Sequence, residues 1–339
     1  MPEAVAARSH LVSAEEIREA AKRLRGVIRR TPLVPVRLPP RAGGGAVWLK
    51  CENLQHVSAF KARGAYHFVA RLPERRRRAG LVTYSSGNHA QGVAFAARAF
   101  GVEATIVMPV DAPPVKLART RALGARVEQV GTTAPERRQR AEEILRKSGG
   151  TMVPPFDHPD IIAGQGTMGL ELVAQLREAA DAGAPVAARG LARILVPIGG
   201  GGLISGVAAA MRGLAPEARV VGVEPEGAAG MKKSLEAGAP VTLERVDTIA
   251  DGLKPVRPGD LTFKHCRELV EEVVTVSDDE IRKAVVWLFH QRLVVEPSGA
   301  ATVAALLEGR IETAAEGETV AVLSGGNIEP GLLAGWLVG

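Results

Sequence analysis

Aromatic side chains are scarce in this chain, 4% of 339 residues, and there are only two cysteines, Cys51 and Cys266. Two thiols so far apart supply neither a disulfide framework nor the paired spacing of a zinc or iron–sulfur site. They read as reduced, packed side chains. The net charge is +6, but basic residues without interleaved aromatics are a poor match for nucleic acid. Much of the positive charge sits in Arg75-Arg76-Arg77-Arg78 and in arginines scattered among glutamates. That arginine run follows a helical pattern, where a helix C-terminus favours it and water solvates it. No apolar run is long enough to span a bilayer, and the N-terminus carries no apolar signal-peptide segment. The expectation is a soluble cytoplasmic protein. No internal repeat is present.

Apolar residues, by contrast, make up 46%, ample for a buried core. The 38 glycines and 22 prolines fall mainly at segment boundaries, as in an α/β enzyme. The length fits two domains or one large α/β unit. Ser13-Ala14-Glu15-Glu16 is a capping box. The helical pattern Ile17, Ala20, Ala21, Leu24, Val27 follows it, and Thr31-Pro32 closes that helix. A short strand at Ala46–Leu49 delivers the chain to a polar loop, Asn53 to Ser58, and then to Phe60 and Lys61, which opens a helix running to about Leu72. From Leu81 onward strand and helix alternate: strands at 81–84, 104–108 and 126–130, helices at 90–100, 115–123 and 136–147. Alternation of this kind builds parallel sheets through right-handed crossovers. The proline-containing stretch 152–164 reads as a crossing between domains, before a long helix at 161–180. Further strands are expected at 194–198, 220–223 and 320–323, with helices at about 262–270, 278–291 and 298–307.

Four features carry chemistry. A lysine in the first turn of a helix stands at the wrong end of the helix dipole. Taken alone, Lys61 reads as a solvated side chain; an amine with a lowered pKa is the alternative, and its usual use is a Schiff base with an aldehyde. Gly199-Gly200-Gly201-Gly202 joins a buried strand to the helix starting Leu203-Ile204-Ser205. Four glycines let backbone N–H groups converge on a phosphate. This is neither a Walker loop nor the dinucleotide fingerprint, whose glycines are differently spaced. Ser85-Ser86-Gly87-Asn88-His89 also joins strand to helix; it is an ordinary N-cap loop or a seat for a carboxylate. Ser324-Gly325-Gly326-Asn327 is a third such loop. Ligands of open α/β sheets collect at the carboxyl ends of strands, so the three loops and Lys61 point to one crevice.

The set resembles the fold type II pyridoxal-phosphate enzymes, in the serine/threonine dehydratase and serine racemase branch, over nearly the whole chain. The residues that carry the resemblance are Ser58 to Ala65, Ser85 to Gly92, Gly199 to Leu203, Ala250-Asp251-Gly252-Leu253, Glu296-Pro297-Ser298-Gly299-Ala300 and Ser324 to Asn327. It implies an α/β fold of tryptophan synthase β type: two open twisted sheets flanked by helices, with pyridoxal 5′-phosphate in the cleft between domains. Residues 1–80 with 155–339 would form the large domain, and 81–154 a smaller inserted one. It further implies that Lys61 holds the cofactor as a Schiff base and acts as the base at Cα, with Phe60 beside the ring. Gly199, Gly200, Gly201, Gly202 and the Leu203 N–H would cradle the phosphate, and Asn88 would bond the ring 3′-oxygen. Ser324 would meet the pyridine nitrogen, with Gly252, Glu296 and Asn327 completing the cofactor shell. Ser85, Ser86, Gly87, Asn88 and His89 would take the substrate carboxylate.

The implied reaction is β-elimination of L-threonine or L-serine to 2-oxobutanoate or pyruvate plus ammonia. The alternatives are serine racemisation with side dehydration, or a lyase for another β-hydroxy amino acid such as 3-hydroxyaspartate. Departures from the pattern bear on these. Val57-Ser58 stands where Thr-Gly is usual. Glu224 and Ala228 match the cation-binding loop of some relatives, but Gly230 replaces an aspartate, so no metal is expected. Lys254-Pro255 speaks against racemisation, and Ser86 speaks for it, standing where racemases place a second proton donor. Arg137 lies near the substrate carboxylate in racemase-like relatives, although an exposed helix arginine is the simpler reading. A homodimer is implied by the resemblance alone.

Overall fold

The computed structural model describes residues 10–85, 87–112, 114–184, 186 and 190–338. Among these residues ten strands run in chain order as β1 (Leu33–Arg37), β2 (Ala46–Cys51), β3 (Leu81–Tyr84), β4 (Ala104–Met108) and β5 (Arg126–Gln129), then β6 (Thr151–Met152), β7 (Leu191–Pro197), β8 (Arg219–Pro225), β9 (Glu272–Val276) and β10 (Glu318–Leu323). They form a six-stranded sheet, β1-β2-β10-β7-β8-β9, and a four-stranded sheet, β5-β4-β3-β6. All pairings are parallel except β1 with β2. The α/β class and the two-sheet architecture are therefore as expected.

The six-stranded sheet is buried on both faces, as a parallel sheet must be. Val320 and Val322 of β10 join a core with Ile194, Val196 and the helices Pro159–Asp181 and Gly202–Leu214. Ala321 and Leu323, one residue out of step, face Leu195, Val221 and the helices Asp278–His290 and Pro297–Leu307. This is the period-two alternation of a strand.

The helix Lys61–Arg71 lies between the two layers. Ala65, Phe68 and Val69 pack into the core of the four-stranded sheet with Leu81, Val93 and Ile106. Its opposite side meets the helix Pro159–Asp181, where a Cβ on Gly164 would lie 2.7 Å from Gly64 Cα. Only glycine permits so close a crossing.

Several elements differ from the sequence expectation, among them β6 and the helix Gly230–Ala237, neither of which was expected. The first helix, Ala14–Leu24, carries the expected capping box but stops before Val27, because Gly26 turns at φ +76°. The strand β1 was not expected; Pro35 interrupts its pattern, and a proline is tolerated because β1 is an edge strand paired only with β2. The other edge strand, β9, was also missed, because Leu269-Val270 runs on apolar from the preceding helix. Among the described residues no helix is long and apolar enough to cross a membrane.

Candidate active site

The loop before Lys61 is strained and tied down. Val57 and Ser58 adopt φ +55° and +52°, the left-handed region that a β-branched residue seldom enters. The Val57 carbonyl accepts from Asn327 Nδ2 at 2.8 Å, and the Ser58 carbonyl accepts from the Gly326 N–H at 2.8 Å. Phe60 N–H donates to the Ser324 carbonyl at 3.2 Å, and Ala59 pairs with Gly325 in an isolated antiparallel bridge. The 324–327 loop is thus knitted to the lysine loop, 270 positions earlier at Val57 and Asn327.

Lys61 is the first residue of its helix and half-buried. Its Nζ donates to the Pro155 carbonyl at 2.7 Å and lies 5.1 Å from the centre of the Phe60 ring. Burial pushes the amine's pKa down to about 8.

Two residues along the same helix, Arg63 is fully buried. Its guanidinium binds Glu52 bidentately, Nε and one terminal nitrogen at 2.8 Å each. It also binds Glu171 bidentately, at 2.7 and 2.8 Å. Lys50, likewise buried, donates to Glu171 at 3.0 Å. Two cations and two carboxylates make the cluster neutral, which is what allows charge in a dry interior. The sequence offered no signal for it, because Glu171 and Arg63 both look like ordinary helix surface until the helices pack.

A second polar cluster brings together residues from five segments. Asn88 Nδ2 donates to Glu296 Oε1 at 2.6 Å, Asn327 Nδ2 donates to Asn88 Oδ1 at 2.8 Å, and Asn327 N–H donates to Glu296 Oε2 at 3.2 Å. Glu296 is buried, and burial, aided by the nearby Asp251 charge and opposed by the Asn88 bond, pushes its pKa up to about 7. A Cβ on Gly325 would come within 2.3 Å of Glu296 Oε1, so the glycine makes room for this pair. Gly252 N–H donates to Ser298 Oγ at 2.8 Å, and the buried Ser324 hydroxyl lies 3.4 Å from the Ser298 carbonyl. Arg119 reaches Asn327 Oδ1 at 2.8 Å, and Lys116 pairs with Asp251.

The tetraglycine loop ends β7 and opens the helix Gly202–Leu214, with Gly201 at φ +92°. Phe156 packs over it: a Cβ on Gly200 would lie 2.3 Å from the Phe156 ring. From below, Thr262 Oγ1 donates to the Gly200 carbonyl at 2.7 Å. Asp157 in turn caps the helix Asp260–Leu269, its carboxylate accepting from the N–H groups of Asp260, Leu261 and Thr262 at 3.0 to 3.1 Å. Phe156 and Asp157 lie in the stretch read only as irregular, and no periodicity marks them.

Of the 85–89 loop, Gly87 to His89 lead into the helix Asn88–Phe100, and Ser85 Oγ accepts from the Gly87 N–H at 3.3 Å. Ser86 lies outside the described residues. The His89 ring is buried and turned away, its Nε2 donating to the Val153 carbonyl at 3.0 Å. Burial, and then the neighbouring Lys61 charge, push its pKa down to about 3. His89 is therefore neutral and offers the loop its backbone rather than a cation.

The remaining candidates fall outside this cluster. Both Glu224 oxygens accept N–H bonds at 2.8 Å, from Met231 and Lys232, at the start of the helix Gly230–Ala237. Burial raises its pKa to about 7. The carboxylate acts as a helix cap. Among the described residues no group of three or more His, Cys, Asp or Glu side chains could hold a metal ion. Arg137 is half-buried rather than exposed, donates to the Thr132 carbonyl at 2.9 Å, and leaves its Nε buried without a partner. Cys51 and Cys266 are buried free thiols.

A family model described as pyridoxal-phosphate dependent enzyme matches residues 24–325. The L-threonine ammonia-lyase of Thermotoga maritima is 42% identical over 325 residues, 95% of this chain and 77% of that protein. The L-threo-3-hydroxyaspartate ammonia-lyase of a Pseudomonas species is 39% identical over 321 residues, 94% of this chain and 96% of that protein. The structure of maize serine racemase superimposes with a TM-score of 0.88 at 34% identity, covering 97% of this chain and 98% of that one. Matched over most of its length by the family model and by these relatives, the chain belongs to the fold type II pyridoxal-phosphate-dependent enzymes, in the family of threonine/serine dehydratases and serine racemases.

Proposed function

We propose that this enzyme is an ammonia-lyase that removes the β-hydroxyl and the amino group of L-threonine and L-serine, giving 2-oxobutanoate or pyruvate and ammonia. The observation that carries this reading is Lys61: a half-buried amine, with a pKa lowered to about 8, at the junction of the two layers.

The residues present fit pyridoxal phosphate. Gly199 to Gly202 and the Leu203 N–H form a cradle at a helix N-terminus, where the dipole and unpaired N–H groups favour a phosphate dianion. The left-handed Gly201 and the crowding at Gly200 leave no room for a Cβ in that loop. Asn88 would hold the ring oxygen through its amide nitrogen, Phe60 would pack beside the ring, and the Ser324 hydroxyl would meet the pyridine nitrogen. Gly252, Glu296 and Asn327 complete the surround. Bound there, the cofactor supplies a conjugated ring over which charge developing at Cα is spread.

The rest of the chemistry falls to the protein. Lys61 removes the Cα proton as general base, and its lowered pKa keeps a useful fraction of free amine near neutral pH. The Ser85–His89 loop holds the substrate carboxylate, through the backbone at the start of the helix Asn88–Phe100 and the Ser85 and Ser86 hydroxyls. A serine hydroxyl at position 324, unlike a carboxylate, does not hold the ring nitrogen firmly protonated. That weakens the electron sink and favours prompt loss of the β-hydroxyl. Residues 81–154 act as a lid that closes over residues 1–80 and 155–339. A cytoplasmic homodimer is the assembly that we adopt.

The test is product analysis. The purified enzyme, given L-threonine and L-serine separately, is expected to release 2-oxo acid from both with little D-serine by chiral chromatography. Abundant D-serine would instead make Ser86 a second acid/base and the enzyme a racemase, a reading supported by the likeness to maize serine racemase. Turnover of 3-hydroxyaspartate alone would place it with the Pseudomonas relative. Lys61→Ala is expected to lower turnover at least about 10³-fold while leaving the fold; wild-type activity in that variant would refute the assignment of the base.

A further inference from the structure

A side-chain amide can sit either way round until its neighbours decide, because its oxygen accepts and its nitrogen donates. At Asn327 two neighbours decide. The Arg119 guanidinium, which can only donate, lies 2.8 Å from Oδ1, and the Val57 carbonyl, which can only accept, lies 2.8 Å from Nδ2. Asn327 Nδ2 also reaches Asn88 Oδ1 at 2.8 Å, so Asn88 must turn its own nitrogen to Glu296 Oε1, 2.6 Å away. The result is one directional chain from Arg119 through Asn327 and Asn88 to Glu296. The Glu296 end cannot set its direction: a carboxyl whose pKa stands at about 7 accepts when ionised and can donate when protonated. The Arg119 end cannot reverse, since arginine has no acceptor and does not deprotonate.

Arg119 is also placed to couple this chain to the position of a whole element. It sits on the helix Pro114–Ala122, which packs through Leu117 into the core of the four-stranded sheet. Its partner Asn327 follows β10 of the other sheet. One turn earlier on the same helix, Lys116 pairs with Asp251, beside Gly252. The helix is thus pinned across the cleft at two points, and the guanidinium meets Asn327 only while it is seated there.

We infer that Arg119 is a positioning residue: seated across the cleft, it sets the polarity of the Asn327–Asn88 pair so that Asn88 presents its amide nitrogen, not its oxygen, to the cofactor ring oxygen. This rests on the assignment of Asn88 made above. Without the guanidinium the Val57 carbonyl alone holds the polarity of the pair, and any inverted fraction places a carbonyl oxygen against an anionic ring oxygen.

The test compares wild type, Arg119→Leu, Arg119→Lys and Asn88→Ala as holoenzymes. The readouts are the visible absorption band of the bound cofactor and the dissociation constant for pyridoxal phosphate added to the stripped proteins. Arg119→Leu is expected to move the band in the same direction as Asn88→Ala and to weaken cofactor binding about threefold to tenfold. Its stripped form is expected to unfold within about 1 °C of wild type, as for a surface substitution. Arg119→Lys, which keeps a donor without an acceptor, is expected to restore most of the band position. An unmoved band in Arg119→Leu, with Asn88→Ala shifted, would overturn the positioning role and leave the Asn88 assignment standing. An unmoved band in Asn88→Ala would overturn both. A band shift matched by a clear fall in the unfolding temperature of stripped Arg119→Leu would mark Arg119 as merely structural.

Discussion

Lys61 Nζ lies 2.7 Å from the Pro155 carbonyl oxygen, so the amine that opens one helix is held by the backbone that enters the helix Pro159–Asp181. Burial keeps its pKa near 8, below the ordinary lysine value of 10.5. In stripped enzyme the free amine therefore dominates above about pH 8. Combination with pyridoxal phosphate, followed by absorbance, is expected to accelerate up to about pH 8 and then level off. A rate still climbing tenfold per unit to pH 10 would mean an unperturbed lysine. The linkage has a definite sign. Between about pH 8 and 10.5 the unfolded chain binds more protons at Lys61 than the folded one, so this residue's contribution to stability rises with pH across that window.

Arg63 provides the strongest test of the buried charge cluster. Arg63→Met would leave Glu52, which is completely buried, without its bidentate partner and free Glu171 from the same clasp. Breaking a buried pair on one side typically costs about 3–5 kcal/mol. A fall of that size in denaturant-derived stability is expected, together with weaker cofactor binding, because Lys61 rides on the same helix. A loss under about 1 kcal/mol would show that water reaches the cluster.

The strained pair before the lysine predicts a gain. Ser58 sits at φ +52°, a conformation that costs a residue bearing a Cβ about 1–2 kcal/mol. Ser58→Gly removes that cost and adds the entropy of a glycine, roughly 0.5–1 kcal/mol. A net stabilisation of up to about 1 kcal/mol is expected, read as a rise in unfolding temperature. A destabilised variant would mean that the Ser58 side chain itself holds the loop.

Glu296 and Glu224 both carry pKa values raised to about 7, from an ordinary 4.5. A raised carboxyl binds more protons folded than unfolded, so each contributes a stability that falls as pH rises from 4.5 to 7. Glu296→Gln, which stays neutral, is expected to flatten that part of the stability–pH curve. An unchanged slope in the Glu296→Gln, Glu224→Gln double variant would exclude both groups as its origin.

The local grammar of this fold was legible before any coordinates. The capping box at Ser13 and Glu16, the three strand-to-helix loops and the lysine at a helix start are all written in contiguous residues. Backbone sterics and dipoles act over a few positions, so short stretches suffice to reveal them. The edge strand β5 was legible at 126–130, whereas β1, paired on one side only, tolerates Pro35 and its pattern is broken by it.

The side-chain wiring was not legible. Arg63 and Glu171 are 108 positions apart, and Arg119 and Asn327 are 208 apart. In the sequence Arg63, Glu171 and Arg119 are each indistinguishable from a solvated residue, since the pattern carries no record of which helix face will lose its water. His89 is similar: its place in a loop motif says nothing of where its ring goes, and packing turned the ring onto Val153. By itself, then, the sequence determined the α/β class, the three strand-to-helix loops and the lysine that opens a helix, because those depend on local backbone conformation. Which charges are buried, which amide faces which way and which helix pins the cleft were decided only by the tertiary structure, because desolvation and hydrogen-bond direction exist only once distant segments have packed.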